Sequence, residues 1–138
     1  MKLYHLSKQN HDGEVFVPRV PNSAGEGEDV EYKRICFSST ISGAWRAHPY
    51  GGADDKSGCV IYDKFYVHVP AKVPSTKQIK FPDIESVPDI AITDEVWVTR
   101  KTRMKCIGIV EIGCNRQDVY VNDYTTRYPI HFKWIKRF

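Results

Sequence analysis

Short runs in which apolar and polar residues alternate follow one another along this chain, and proline or glycine cuts most of them off after a few positions. A period of two suits strands with one buried face, and the frequent breaks suit turns. The aromatic load agrees: eight Tyr, six Phe and three Trp favour a pleated, half-buried surface. One stretch keeps helical spacing instead. Thr40 is placed to cap it, Ile41, Ala44, Trp45 and His48 recur along it, and Pro49 with Gly51-Gly52 ends it.

Strands are expected at Lys2–Ser7, Arg34–Ser38, Gly58–Pro70, Glu95–Thr99 and Met104–Ile112, with two more at Asp118–Val121 and Tyr128–Ile135. The phase of Gly58–Pro70 slips at Asp63-Lys64, which points to a bulge or turn there. Val15, Val17 and Val20 lie among prolines and read as extended but irregular. Asn22–Asp29 reads as an exposed loop, and Lys72–Pro88 as a loop with a short strand near Gln78–Phe81. The expectation is an α+β fold, a split or curved, mostly antiparallel sheet with one or two helices, in a single domain spanning residues 1–138.

Composition excludes several alternatives. A chain of 138 residues buries roughly two thirds of the surface its unfolded form exposes, so it needs no disulfide or metal to fold. A hydrophobic share of 41% against 27% charged argues against general disorder. The net charge of +3 is too mild to imply nucleic acid by itself. The first residues lack a signal peptide's apolar stretch, and no apolar run approaches the roughly 20 residues of a membrane helix. A reducing cytoplasm is the expected setting. Cys36, Cys59, Cys106 and Cys114 form no C-x-x-C pair and have no zinc-like histidine spacing. No metal is expected, and each cysteine reads as a small buried hydrophobe.

Three segments carry candidate chemistry. In Leu3-Tyr4-His5-Leu6-Ser7, alternation puts Leu3 and His5 on one face and Tyr4 and Leu6 on the other. His5 is then either a ligand-orienting imidazole or a satisfied structural one. Arg34-Ile35-Cys36-Phe37-Ser38 ends just before the helix, where hydroxyls and N–H groups can meet an anion or amide. In Thr93-Asp94-Glu95-Val96-Trp97-Val98, Val96 and Val98 face the core. Glu95 then stands at a sheet edge or cleft, or is an ordinary exposed carboxylate.

In order and helix context these segments resemble the ADP-ribosyltransferase superfamily. The likeness is to its His-Tyr-Glu branch, which includes the poly(ADP-ribose) polymerase catalytic domains and the small rifampin ADP-ribosyltransferases. Tyr4-His5-Leu6-Ser7 stands where that branch has Tyr-His-Gly-Thr. Ile35-Cys36-Phe37-Ser38 stands where it has Ile-Tyr-Phe-Ser/Ala, and Glu95-Val96-Trp97-Val98 where it has the glutamate-led strand. The resemblance implies that NAD is the substrate and that an ADP-ribosyltransferase-like fold binds it. It implies that His5 holds the adenosine-side ribose, and that the backbone at Leu6 and Ser7, with Ser38 nearby, holds the nicotinamide amide. It further implies that Glu95 binds the 2′-OH of the nicotinamide ribose. Arg19 is a candidate clamp for the diphosphate, or a solvated loop cation. The acceptor of ADP-ribose would be a protein, a nucleic acid or a small molecule.

Two positions depart from the pattern. Cys36 replaces the tyrosine that stacks on nicotinamide, and Tyr62 or Tyr66 are candidate substitutes. Leu6 replaces a glycine, so its backbone serves a ligand only if its side chain points away. The alternatives are a catalytically inactive relative that binds a partner or nucleotide, and an unrelated β-rich module binding nucleic acid or protein. The latter rests on the C-terminus, where Arg127, Lys133, Lys136 and Arg137 interleave with aromatic residues.

Overall fold

Strand pairing builds two antiparallel sheets in the computed structural model, which describes residues 1–21, 29, 31–47, 60–115 and 129–138. The larger sheet holds β1 (His5–Ser7), β2 (Val15–Phe16), β4 (Val60–Pro70), β7 (Thr102–Asn115) and β8 (His131–Arg137). Its order is β1-β4-β7-β2, with β8 also on β7. The smaller sheet runs β3 (Ile35–Ser38), β6 (Glu95–Val98), β5 (Ile79–Lys80). Helix α1 (Ile41–Ala47) and the short α2 (Ile90–Thr93) complete the α+β architecture. No helix among the described residues is long and apolar enough to cross a membrane.

The two sheets touch through isolated bridges. Tyr4 and Ser38 exchange both backbone hydrogen bonds, at 2.8 and 2.9 Å, and Arg19 and Arg34 do the same at 3.0 Å. Beyond these points the sheets part.

Two apolar layers result. In the first, Leu6, Phe65, Val67, Val110, Ile112 and Cys114 of the large sheet pack against Ile41 and Trp45 of α1 and Ile92 of α2. In the second, Leu3 and Met104 pack against Ile35, Phe37, Val96 and Val98 of the small sheet. Strand β7 serves both layers because of a bulge. Val67 pairs with Gly108 and His68 with Cys106, which leaves Ile107 without a partner on β4. The extra residue turns the strand over. Met104 and Cys106 therefore lie on one face, and Val110, Ile112 and Cys114 on the other.

This corrects the bulge expected at Asp63-Lys64. The register runs unbroken from Val60 to Val67. Tyr62 broke the apolar phase because it stands 48% exposed on the outer side. Other expectations shift less. The first strand begins at His5, since Tyr4 already bonds to the other sheet. Val15–Phe16 pairs with β7 as a two-residue strand. The short strand expected near Gln78–Phe81 forms at Ile79–Lys80. Trp97, expected opposite the core-facing valines, is fully buried on the other side of β6. There the Arg34 guanidinium lies 4.4 Å over its ring and Tyr32 stacks at 5.5 Å. The strand at Asp118–Val121, the Asn22–Glu28 part of the loop, and Cys59 lie outside the described residues.

Candidate functional site

Where the sheets part, a cleft of about 600 Å³ opens. Its walls are residues 4–6 with β1, strand β3, the start of β6, the Phe16–Pro21 segment, and the Ala44–Ala47 side of α1. Six of the seven residues singled out from sequence line it: His5, Leu6, Arg19, Cys36, Ser38 and Glu95. Ser7 does not.

Each is placed by a local cause. His5 sits on the Leu3 face of β1, half-buried. Its ring meets the edges of Phe16 at 5.4 Å and Phe37 at 6.3 Å. Those rings fix its plane. Leu6 is 4% exposed because its side chain enters the layer against α1. Tyr4 gives its N–H and C=O to Ser38, and backbone groups along a strand alternate in direction. Those of Leu6 are consequently aimed the same way as Tyr4's, along the edge of β1 not covered by β4.

Ser38 and Glu95 stand directly opposite each other in the β3–β6 ladder. Glu95 is half-buried, and its Oε2 accepts a 2.8 Å hydrogen bond from the Trp97 indole. A charge-assisted bond from a buried ring holds the carboxylate in one orientation. The Ser38 hydroxyl donates to the Thr93 carbonyl at 2.7 Å and accepts from the Thr40 N–H at 3.2 Å. Its single proton is thus engaged in joining β3 to α2, so it serves the architecture of the site more than a ligand. Thr40 caps α1 as anticipated: its Oγ1 accepts from the Gly43 N–H at 2.9 Å and donates to Asp94 at 2.7 Å.

Cys36 is half-buried and lines the cleft, which corrects its reading as a buried hydrophobe. Cys106 and Cys114 are buried as expected. Arg19 is exposed, with its backbone pinned to Arg34 and its residue at the cleft wall. Tyr62 and Tyr66 are not among the lining residues. The Tyr and Phe rings lining the cleft are those of Tyr4, Phe16 and Phe37.

Sequence reasoning missed His11, His68 and Phe16. His11 lines the cleft from what read as a plain polar loop. His68 is fully buried beneath it, and its Nε2 accepts the His11 backbone N–H at 2.9 Å. Burial pushes the His68 pKa below its usual value, helped by the neighbouring His11 and only partly offset by a backbone hydrogen bond at His5. The rings of His5 and His11 lie 6.0 and 5.4 Å from that of His68. Nothing in the spacing of positions 5, 11 and 68 announces this grouping, because the β1–β4 register creates it. Among the described residues no set of three His, Cys, Asp or Glu side chains is arranged to hold a metal ion. Compared with protein-family models, with curated proteins and with solved structures, the chain gives no match.

Proposed function

We propose that the cleft binds NAD and that the chain transfers ADP-ribose from it to an acceptor. The observation that carries this reading is the convergence of His5, the open backbone edge at Leu6, Cys36 and Glu95 on one cleft between two sheets. Residues so far apart in sequence have no local reason to meet. An antiparallel sheet pair that splits beside β1 also supports the ADP-ribosyltransferase-like fold.

In this reading the Leu6 N–H and C=O pair with the nicotinamide amide, and His5 holds the adenosine-side ribose. Arg19 reaches the diphosphate from the cleft wall. Glu95 binds the 2′-OH of the nicotinamide ribose. As the bond from ribose C1′ to nicotinamide breaks, positive charge develops on the ring, and the oriented carboxylate stabilises it. The acceptor nucleophile then bonds to C1′ and gives up its proton. The cleft carries no stacking tyrosine at Cys36, so nicotinamide contacts Tyr4 instead.

The test is nicotinamide release from NAD by the purified chain and by Glu95→Gln, with thermal-shift titration alongside. Release that vanishes in the variant supports transfer chemistry at Glu95. A thermal shift without release supports a binding-only relative, since a ligand that prefers the folded state stabilises it. Absence of both signals refutes the NAD reading.

A second reading has its own observation. Phe132 and Phe138 of the C-terminal segment are 43% and 60% exposed, beside Lys133 and Lys136. Exposed rings among cations suit a single-stranded nucleic acid, as acceptor or as ligand. Binding to oligonucleotides that weakens steeply with salt is its signature.

A further inference from the structure

The loop after β1 holds a second chemical arrangement, independent of the NAD reading. The Ser7 Oγ lies 3.0 Å from His11 Nε2, and His11 Nδ1 lies 2.8 Å from Glu14 Oε2. The Gln9 backbone N–H donates to Ser7 Oγ at 3.1 Å. A single proton arrangement of the neutral imidazole satisfies every contact. Glu14 accepts only, so the proton sits on Nδ1. Nε2 then presents its lone pair to Ser7, whose hydroxyl proton points at it while Oγ accepts from Gln9. A hydroxyl, a base within hydrogen-bond reach and a carboxylate orienting that base are the parts of an activated nucleophile.

The loop is held in this shape from outside. The Asp12 carboxylate accepts the Cys106 N–H at 2.8 Å, the Gly13 N–H donates to the Met104 carbonyl at 2.8 Å, and His68 holds the His11 backbone. Phe16 meets the His11 ring edge-on at 5.2 Å. The base is therefore clamped by three strands of the fold, β2, β4 and β7, while Ser7 remains only half-buried.

We infer that Ser7, His11 and Glu14 form a serine nucleophile site for short acyl esters, with Ser7 as nucleophile, His11 as general base and Glu14 as a positioning residue. Ser7 Oγ bonds to the carbonyl carbon as its proton passes to His11 Nε2. The carbonyl electron pair moves onto oxygen and returns as the ester C–O bond breaks, and His11 gives the proton to the departing alkoxide. Water then attacks the acyl-serine with His11 again as base, releasing the carboxylic acid and restoring the Ser7 hydroxyl. The Gln9 N–H, which lies 3.1 Å from Oγ, is the donor this site offers to the developing oxyanion. One donor stabilises that charge weakly, so acylation is slow and best read as covalent labelling.

The experiment treats the intact chain with diisopropyl fluorophosphate and maps the adduct by peptide mass spectrometry. The expected result is a single adduct on Ser7, absent in Ser7→Ala and formed about a hundredfold more slowly in His11→Ala. Glu14→Gln, a change at an exposed side chain, is expected to fold normally and to shift the pH profile of labelling. Circular dichroism checks the fold of each variant. No adduct on Ser7, or labelling equally fast in His11→Ala and Glu14→Gln, overturns the inference. Nicotinamide release is measured on the same samples, so that this site and the NAD cleft stand or fall separately.

Discussion

Gly43 offers a sharp test because two principles predict opposite signs. It lies in the first turn of α1, and alanine in a helix is favoured over glycine by about 1 kcal/mol. Propensity alone therefore predicts that Gly43→Ala stabilises the fold. The packing predicts the reverse. A β-carbon there would stand 2.3 Å from the Thr93 carbonyl oxygen, 2.6 Å from Ser38 Oγ and 2.7 Å from Thr40 Oγ1. The first neighbour is backbone and cannot swing aside. The two hydroxyls are held by Thr93 and by Asp94. Helix α1 must move away from α2 and β3, at an overpacking cost of about 1–3 kcal/mol. Loss of the Thr40 cap or of the Ser38 bond adds about 1 kcal/mol. Set against the propensity gain, the net loss is about 2 kcal/mol. A chain of this length loses about 4 °C of Tm for each kcal/mol, so a fall of about 8 °C is expected. Reversible thermal unfolding followed by circular dichroism measures it. An unchanged or higher Tm would mean that α1 does not seat against Thr93, and the placement of Ser38 and Glu95 would lose its footing.

Two further outcomes follow from the site. His68 is buried with its pKa lowered from 6.5, among His5, His11, Asp12 and Glu14, so it folds neutral while the unfolded chain takes up its proton first. Stability should hold above that value and drop as pH falls below it; urea midpoints at pH 7.5 and 5.5 should show a smaller drop in His68→Gln, and equal drops would refute the assignment. If the cleft takes NAD, Cys36→Tyr restores a stacking ring and should tighten NAD binding by about 1 kcal/mol, roughly fivefold; weaker binding by calorimetry would argue against nicotinamide lying beside β3.

Much of this was legible locally. The alternation of Leu3, Tyr4, His5 and Leu6 assigned each to the correct side, and Thr40 announced the start of α1. Val96 and Val98 marked the inner face of β6, which left Glu95 at its edge. What escaped the sequence was set by tertiary pairing. Trp97 looked like the solvent side of a strand because nothing at Arg34 or Tyr32 signals that they will fold over it. The bulge went to Ile107 because a strand's hydrophobic phase records burial, and Tyr62 is simply an exposed ring. His11 joined the cleft through its bond to His68, 57 residues away. Ser38 was found in place, but its hydroxyl had been taken by Thr93, a contact that only the packing of α2 on β3 creates.

The extra residue Ile107 in the β4–β7 ladder has a consequence for how this molecule comes apart. By inverting β7 midway, it makes one hydrogen-bonded ladder the backbone of both apolar layers. Neither layer can melt while the other keeps its strand straight, so the molecule should lose both in one cooperative step. The same inversion makes the strand tolerant of a one-residue deletion at that point and intolerant of one beyond it. Removing Ile107 would set Cys106 and Gly108 side by side opposite His68 and Val67 and leave Val110, Ile112 and Cys114 on their present side, whereas a one-residue deletion farther along the strand would exchange inside for outside beyond it.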